Sequence, residues 1–163
     1  MGTSTKPRKA HRQAWNKGSV KLRSRPWTVN AVFNPLEAII DQLENDGTID
    51  IANNGTAVFK DAVDGEWYDS TVAIIGCVEA FEIHERRHNR DLQMAPLRQL
   101  ANLLKYGMPI TAASTAAARL CLTRMRAETV EMTADYARQL IKDFQIMEEL
   151  QKIPAAPPTG VIA

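Results

Sequence analysis

Apolar positions recur along this chain at two spacings, and the places where one gives way to the other outline the fold. Leu36, Ile39, Ile40 and Leu43 fall on one face at helical spacing. Asn34 before them is a good N-cap and Pro35 a good first helical residue, while Gly47 supplies a stop. A first helix is therefore predicted from Asn34-Pro35. Ile49 and Ile51 then alternate with polar residues, Asn54-Gly55 follows, and Val58 and Phe59 come next. This reads as a short β-hairpin whose tight turn needs positive φ at both central residues, and it is the only credible sheet.

Asp64-Gly65 marks another turn, and Trp67 with Tyr68 leads into a long helix from about Ser70 to His88. Ile74, Cys77, Val78 and Phe81 share its inner face, and Glu79, Glu82 and Arg86 take the wet one. Pro96 opens a third helix carrying Leu97, Leu100, Ala101 and Leu104, with Gly107 as its stop. Thr111 caps an alanine-rich fourth helix running to Leu122 and Met125, whose small side chains allow a neighbour close approach. Thr133 caps a fifth, in which Tyr136, Leu140, Ile141, Phe144 and Met147 form an apolar stripe read as core. The predicted fold class is mainly α: about five helices with one small β-hairpin, α+β at most, in a single domain over residues 34–152.

Composition agrees with one ordinary globular domain: 163 residues, 45% hydrophobic and 24% charged. No apolar stretch approaches the roughly 18 residues of a membrane span, and no signal-peptide core follows the basic start, so a cytosolic protein is expected. Cys77 and Cys121 sit in apolar helical stretches and are expected as buried free thiols.

Charge changes the picture more. The first acidic residue is Glu37, and eight basic residues precede it, so a formal +8 segment stands before a −7 body and the two cancel to a net +1. Residues 1–33 lack apolar periodicity and are expected to form a disordered basic arm; residues 153–163, with Pro154, Pro157 and Pro158, form a proline-rich disordered tail. Clustered Lys and Arg release counterions from phosphates, which makes nucleic acid or a nucleoprotein complex the expected partner. The candidate binding residues are Lys6, Arg8, Lys9, Arg12, Trp15, Lys17, Lys21, Arg23 and Arg25. Trp15 and Trp27 can stack on exposed bases or pin the arm to its own domain. Arg119, Arg124 and Arg126 with Arg86, Arg87 and Arg90 form either a second basic patch or a solvated face.

One stretch has the pattern of chemistry. His84-Glu85-Arg86-Arg87-His88 matches H-E-x-x-H, in which two histidines one turn apart bind zinc and the glutamate activates a bound water. Both middle positions are Arg, which places two cations near a dication. The only other histidine is His11, leaving Asp91, Glu128 or Glu131 as candidates for the third ligand. The helix end offers a plainer account, since His and Arg complement the negative end of a helix dipole. A glycine-rich phosphate loop, C-x-x-C, and a Ser or Cys spaced to a histidine partner are all missing from the sequence.

The opening Lys6-Pro7-Arg8-Lys9-Ala10-His11-Arg12 resembles the start of small uncharacterised proteins encoded in prophages and plasmids of proteobacteria, which begin with a Lys-Pro-Arg-Lys run and continue into a helical body. The likeness extends to the capped helix over Thr129 to Leu150 and carries no functional residues with it. It departs at His11, where an aromatic is expected, and in lacking a second proline after Arg12. The resemblance implies a mobile-element accessory protein of the bacterial cytoplasm, in a group that includes DNA-associated factors and inhibitors of host defence complexes. The expected function is non-enzymatic, without cofactor: the arm binds nucleic acid or a nucleoprotein complex and the body contacts a host protein, regulating or inhibiting a host machine, with anti-CRISPR or other counter-defence as one form. The alternatives are a small zinc metallohydrolase using His84, His88 and Glu85, and a virion or scaffolding protein contacting packaged genome.

Overall fold

The computed structural model describes residues 17–152. Five helices dominate it: α1 (Pro26–Asp46), α2 (Ser70–His88), α3 (Ala95–Lys105), α4 (Ala112–Thr129) and α5 (Ala134–Lys152). Between α1 and α2 lies an antiparallel sheet of β1 (Asp50–Ile51), β2 (Ala57–Lys60) and β3 (Trp67–Asp69), in the order β1-β2-β3. The mainly helical architecture is thus as the periodicity predicts, with one small sheet.

Local chemistry sets most boundaries. The Asp69 carboxylate accepts from the Val72 amide, the Thr111 hydroxyl from Ser114 and the Thr133 hydroxyl from Tyr136, so the starts of α2, α4 and α5 each have a side-chain cap. Gly47 and Asn89 close α1 and α2 in the left-handed conformation. The helices bury Phe33, Ile39, Ile40, Ile74, Leu97, Leu100, Leu122 and Met125 completely in one continuous core.

The structure corrects three expectations. The first concerns the arm, which was placed over 1–33: from residue 17 the chain is laid on the body instead. Its link is a backbone clasp, in which Leu22 donates to the Met132 carbonyl at 2.8 Å, Arg23 to Val130 at 3.0 Å, and Ala134 to Val20 at 2.9 Å. Leu22 is buried beneath it. Two apolar residues, Val20 and Leu22, are too few to show a period, so nothing in the pattern marks this segment.

The second is the start of α1, at Pro26 rather than at Asn34-Pro35. Val29 and Phe33 extend the apolar face backwards at spacings of four and three, and both are buried. Pro35 sits inside the helix, where a proline removes one backbone hydrogen bond and costs about 3 kcal/mol. Burying Phe33 and Val29 contributes roughly 1.5–3 kcal/mol each, which offsets that cost.

The third is the sheet. Ile51 and Ala57 do pair, but the loop between them spans five residues and only Gly55 takes positive φ, at 85°. The Asn54 side chain accepts from the Thr56 amide, and the Gly55 amide donates to the Ala52 carbonyl, which replaces the two-residue turn. Trp67 and Tyr68 form the third strand, with Phe59 opposite Tyr68 and Lys60 opposite Trp67.

α2 is the centre of the molecule. α3 and α5 pack along it and α1 leans on it, but α1 and α5 scarcely touch each other. α5 runs antiparallel to α2, with Tyr136 against His84 near one end and Phe144 over Gly76 further along.

Candidate functional site

Where α1 and α5 part company, a groove of about 380 Å³ opens with α2 as its floor. The floor residues Ala73, Gly76, Cys77 and Ala80 are all small and fall at i, i+3, i+4 and i+7 on α2. Val29, Val32 and Leu36 of α1 form one wall; Ala137, Leu140, Ile141 and Phe144 of α5 form the other. The apolar stripe of α5 was read as core, yet Ile141 is 50% exposed, and Val32 opposite it is 40% exposed. The lining is almost wholly apolar, and single exposed hydrophobics are common whereas a contiguous apolar groove is not. Cys77 in the floor is a free thiol whose apolar surroundings, and then neighbouring Cys121, push its pKa up to about 12, so it stays protonated and unreactive at neutral pH.

Beyond the end of the groove, α2 and α5 are joined by polar contacts. His84, at 5% exposure, has both ring nitrogens engaged: Nδ1 lies 2.6 Å from the Tyr136 hydroxyl and Nε2 lies 2.9 Å from Glu128 Oε1. Carboxylates only accept, so Nε2 carries the hydrogen and Nδ1 accepts from the phenol. His88 Nε2 reaches the same hydroxyl at 3.2 Å, and Arg90 donates to Glu128 at 2.8 Å. Burial raises the Tyr136 pKa above the usual phenol value, with Arg87 opposing the shift. An open cavity of about 260 Å³ lies against these residues.

The third partner of the zinc pattern is elsewhere. Glu85 sits one residue round the helix and accepts from the Leu92 amide at 2.7 Å, tying down the α2–α3 connection. It therefore does not face the histidine pair as a general base must. Of the ligand candidates, Asp91 accepts from Gln93, Glu131 binds Lys21 and Arg23, and Glu128 alone reaches His84. Among the described residues, no three His, Cys, Asp or Glu side chains converge on a metal-sized space.

Lys6, Arg8, Lys9, Arg12 and Trp15 lie outside the described residues, and Lys17 opens the described chain. Lys21 and Arg23 both bind Glu131, Lys21 at 2.9 Å, and so help close the clasp. Arg25 is the half-buried residue preceding α1. Trp27 is 67% exposed on the first turn of α1. Most of the arginines of the candidate body patch are individually tied, Arg90 to Glu128 among them. Arg119 binds Glu44 and Asp41; Arg124 donates to the Leu92 and Gln93 carbonyls; Arg126 binds Glu37 and covers the Phe33 ring; Arg87 binds Asp143. The pairing favours the solvated-face reading for Arg87, Arg90, Arg119, Arg124 and Arg126.

A wider depression, about 710 Å³ between the hairpin loop and α3, is open and of mixed polarity, with Glu79, Glu148, Arg98 and Lys105 around it. Its Arg98 is already turned to Glu82. Neither family models, characterised proteins nor solved structures yield a match to this chain. Any functional reading therefore rests on the groove and the polar cluster themselves.

Proposed function

We propose that this protein acts by binding rather than catalysis: the groove between α1 and α5 takes up an amphipathic helix of a partner protein, and the N-terminal basic segment engages the nucleic acid of the same assembly. The groove carries the proposal. Its floor of Ala73, Gly76, Cys77 and Ala80 lets a backbone approach closely, and its walls offer apolar side chains at i, i+3 and i+7 on α1 and at i, i+3, i+4 and i+7 on α5, as helix-in-groove recognition needs. Placement supports a nucleoprotein target. Residues 17–19 pack on α5 and Leu22 lines the groove, so the described chain begins beside it. Lys6, Arg8, Lys9 and Arg12 precede that point in the sequence, and counterion release from phosphates would add their affinity to that of the groove. The resemblance of the opening to mobile-element proteins makes regulation or inhibition of a host machine, counter-defence included, the corresponding task.

The test uses the full chain, tagged and recovered from its native host with and without nuclease. Wild type is compared with Ala80→Phe, which fills the groove, and with a chain lacking residues 1–16. The proposal expects a nuclease-resistant protein partner that falls at least tenfold with Ala80→Phe, and nucleic acid that is lost with the truncation. The same proteins captured by wild type and Ala80→Phe would refute it.

A further inference from the structure

The histidine pair retains a chemistry that docking does not use. His84 and His88 stand one turn apart on the same face of α2, with ring centroids 4.6 Å apart. The Tyr136 hydroxyl lies where their nitrogens converge, 2.6 Å from His84 Nδ1 and 3.2 Å from His88 Nε2. Two ligands bonded to a tetrahedral ion at about 2.0–2.1 Å sit roughly 3.3–3.4 Å apart, so the Tyr136 hydroxyl need draw back from each of the two nitrogens by less than about 1 Å to admit one. The other nitrogen of His84 donates to Glu128, leaving the Nδ1 lone pair turned to the Tyr136 hydroxyl. A histidine held this way by a carboxylate is the usual support of a metal ligand, because it fixes both tautomer and ring orientation.

Arg86 lies beside Glu79 and Glu82, away from the pair, and Arg87, ion-paired with Asp143, also reaches the Tyr136 hydroxyl, where its charge favours the phenolate that a metal ligand must become. The cavity against the cluster is bordered by Arg90 but also by Glu128 and Glu131, and it leaves room for water at a fourth position. We infer that His84 Nδ1, His88 Nε2 and Tyr136 Oη form a site for one zinc-class divalent ion that fastens α2 to α5 beside the groove. Imidazole and oxygen donors suit such an ion. As the metal–oxygen bond forms, the phenol loses its proton to solvent. With Glu85 held by Leu92, the ion serves to join helices, not to activate a water for hydrolysis.

The experiment takes the full-length protein, stripped with chelator, and titrates Zn²⁺ by calorimetry and Co²⁺ by visible absorption. The expected result is one ion per chain, the intense visible bands of tetrahedral Co²⁺, proton release, and a higher melting temperature. His88→Gln and Tyr136→Phe alter accessible groups, and each should weaken uptake at least about tenfold while the apo melting curve remains cooperative. A chain lacking residues 1–16 should bind as well as wild type, which separates this site from His11 and the N-terminal amine. Absence of stoichiometric uptake by wild type, or uptake unchanged in the His88→Gln/Tyr136→Phe double variant, would overturn the assignment.

Discussion

The two ends of the α2–α5 pair solve the same packing problem in opposite ways. Near Tyr136 the two helices are joined by His84, His88 and Arg87, each with a specific partner on α5, and His84 is tied as well to Glu128 of α4. Along Ala73 to Ala80, by contrast, α2 presents only small residues, and α5 and α1 stand apart above it. Polar groups must find partners when buried, so the first end is closed. Small apolar groups make no such demand, and the second end is left open with Ile141 and Val32 half in water. A stripe of hydrophobic residues therefore tells which face of a helix avoids water, but not whether the same chain supplies the cover.

The comparison can be broken most forcefully at the closed end. His84→Ala leaves the Glu128 carboxylate and the Tyr136 hydroxyl without their buried partner and should cost about 3 kcal/mol, read from urea unfolding at neutral pH. Tyr136→Phe removes a single hydroxyl that bridges the two histidines and should cost about 1 kcal/mol in the same assay. At the open end, Ile141→Gln and Ala80→Phe should each shift stability by less than about 1 kcal/mol, since neither side chain is enclosed. If Ala80→Phe instead destabilises as strongly as a core substitution, the groove is closed and the comparison fails.

The smallest effect belongs to the N-terminal clasp and depends on pH. The hydrogen bond from Lys21, with Arg23 alongside, holds the Glu131 carboxyl below its ordinary 4.5. A carboxyl depressed on folding stabilises the native state fully above its unfolded value, and that contribution is lost as pH falls through the lowered one. Asp143 behaves alike, depressed from 3.8 by its hydrogen bond from Arg87. Accordingly, the urea midpoints of wild type and Glu131→Gln should differ slightly at pH 7 and converge under acid. The gap should also narrow in high salt, because the ions are half exposed.

Much of the fold was legible in the sequence because short-range chemistry marks it. The left-handed Gly47 and the capping threonines Thr111 and Thr133 act within three or four residues of themselves, and α2 runs over Ser70–His88 as its periodicity predicts. What escaped was decided at longer range. Pro35 reads as a helix start by local rules, and only the burial of Phe33 against Phe81, 48 residues on, explains why α1 runs through it. Trp67 and Tyr68 needed Phe59 and Lys60 across the sheet to become a strand. Of the site, the His84–His88 pair was visible, but its partners Glu128 and Tyr136 lie 44 and 52 residues away. Glu85 shows the converse: it fits the motif in sequence and is bound to Leu92 in space.

The most direct test of the open end places a photo-crosslinking residue at position 141, in the groove wall, and in parallel at Leu120, exposed on α4. Both full-length variants are expressed and irradiated in the native host. The account predicts an adduct of one defined mass with a separate protein from position 141, absent from position 120 and absent when Ala80→Phe is added. An adduct with the chain's own terminal segments, with a second copy, or with the same proteins from both positions would contradict it.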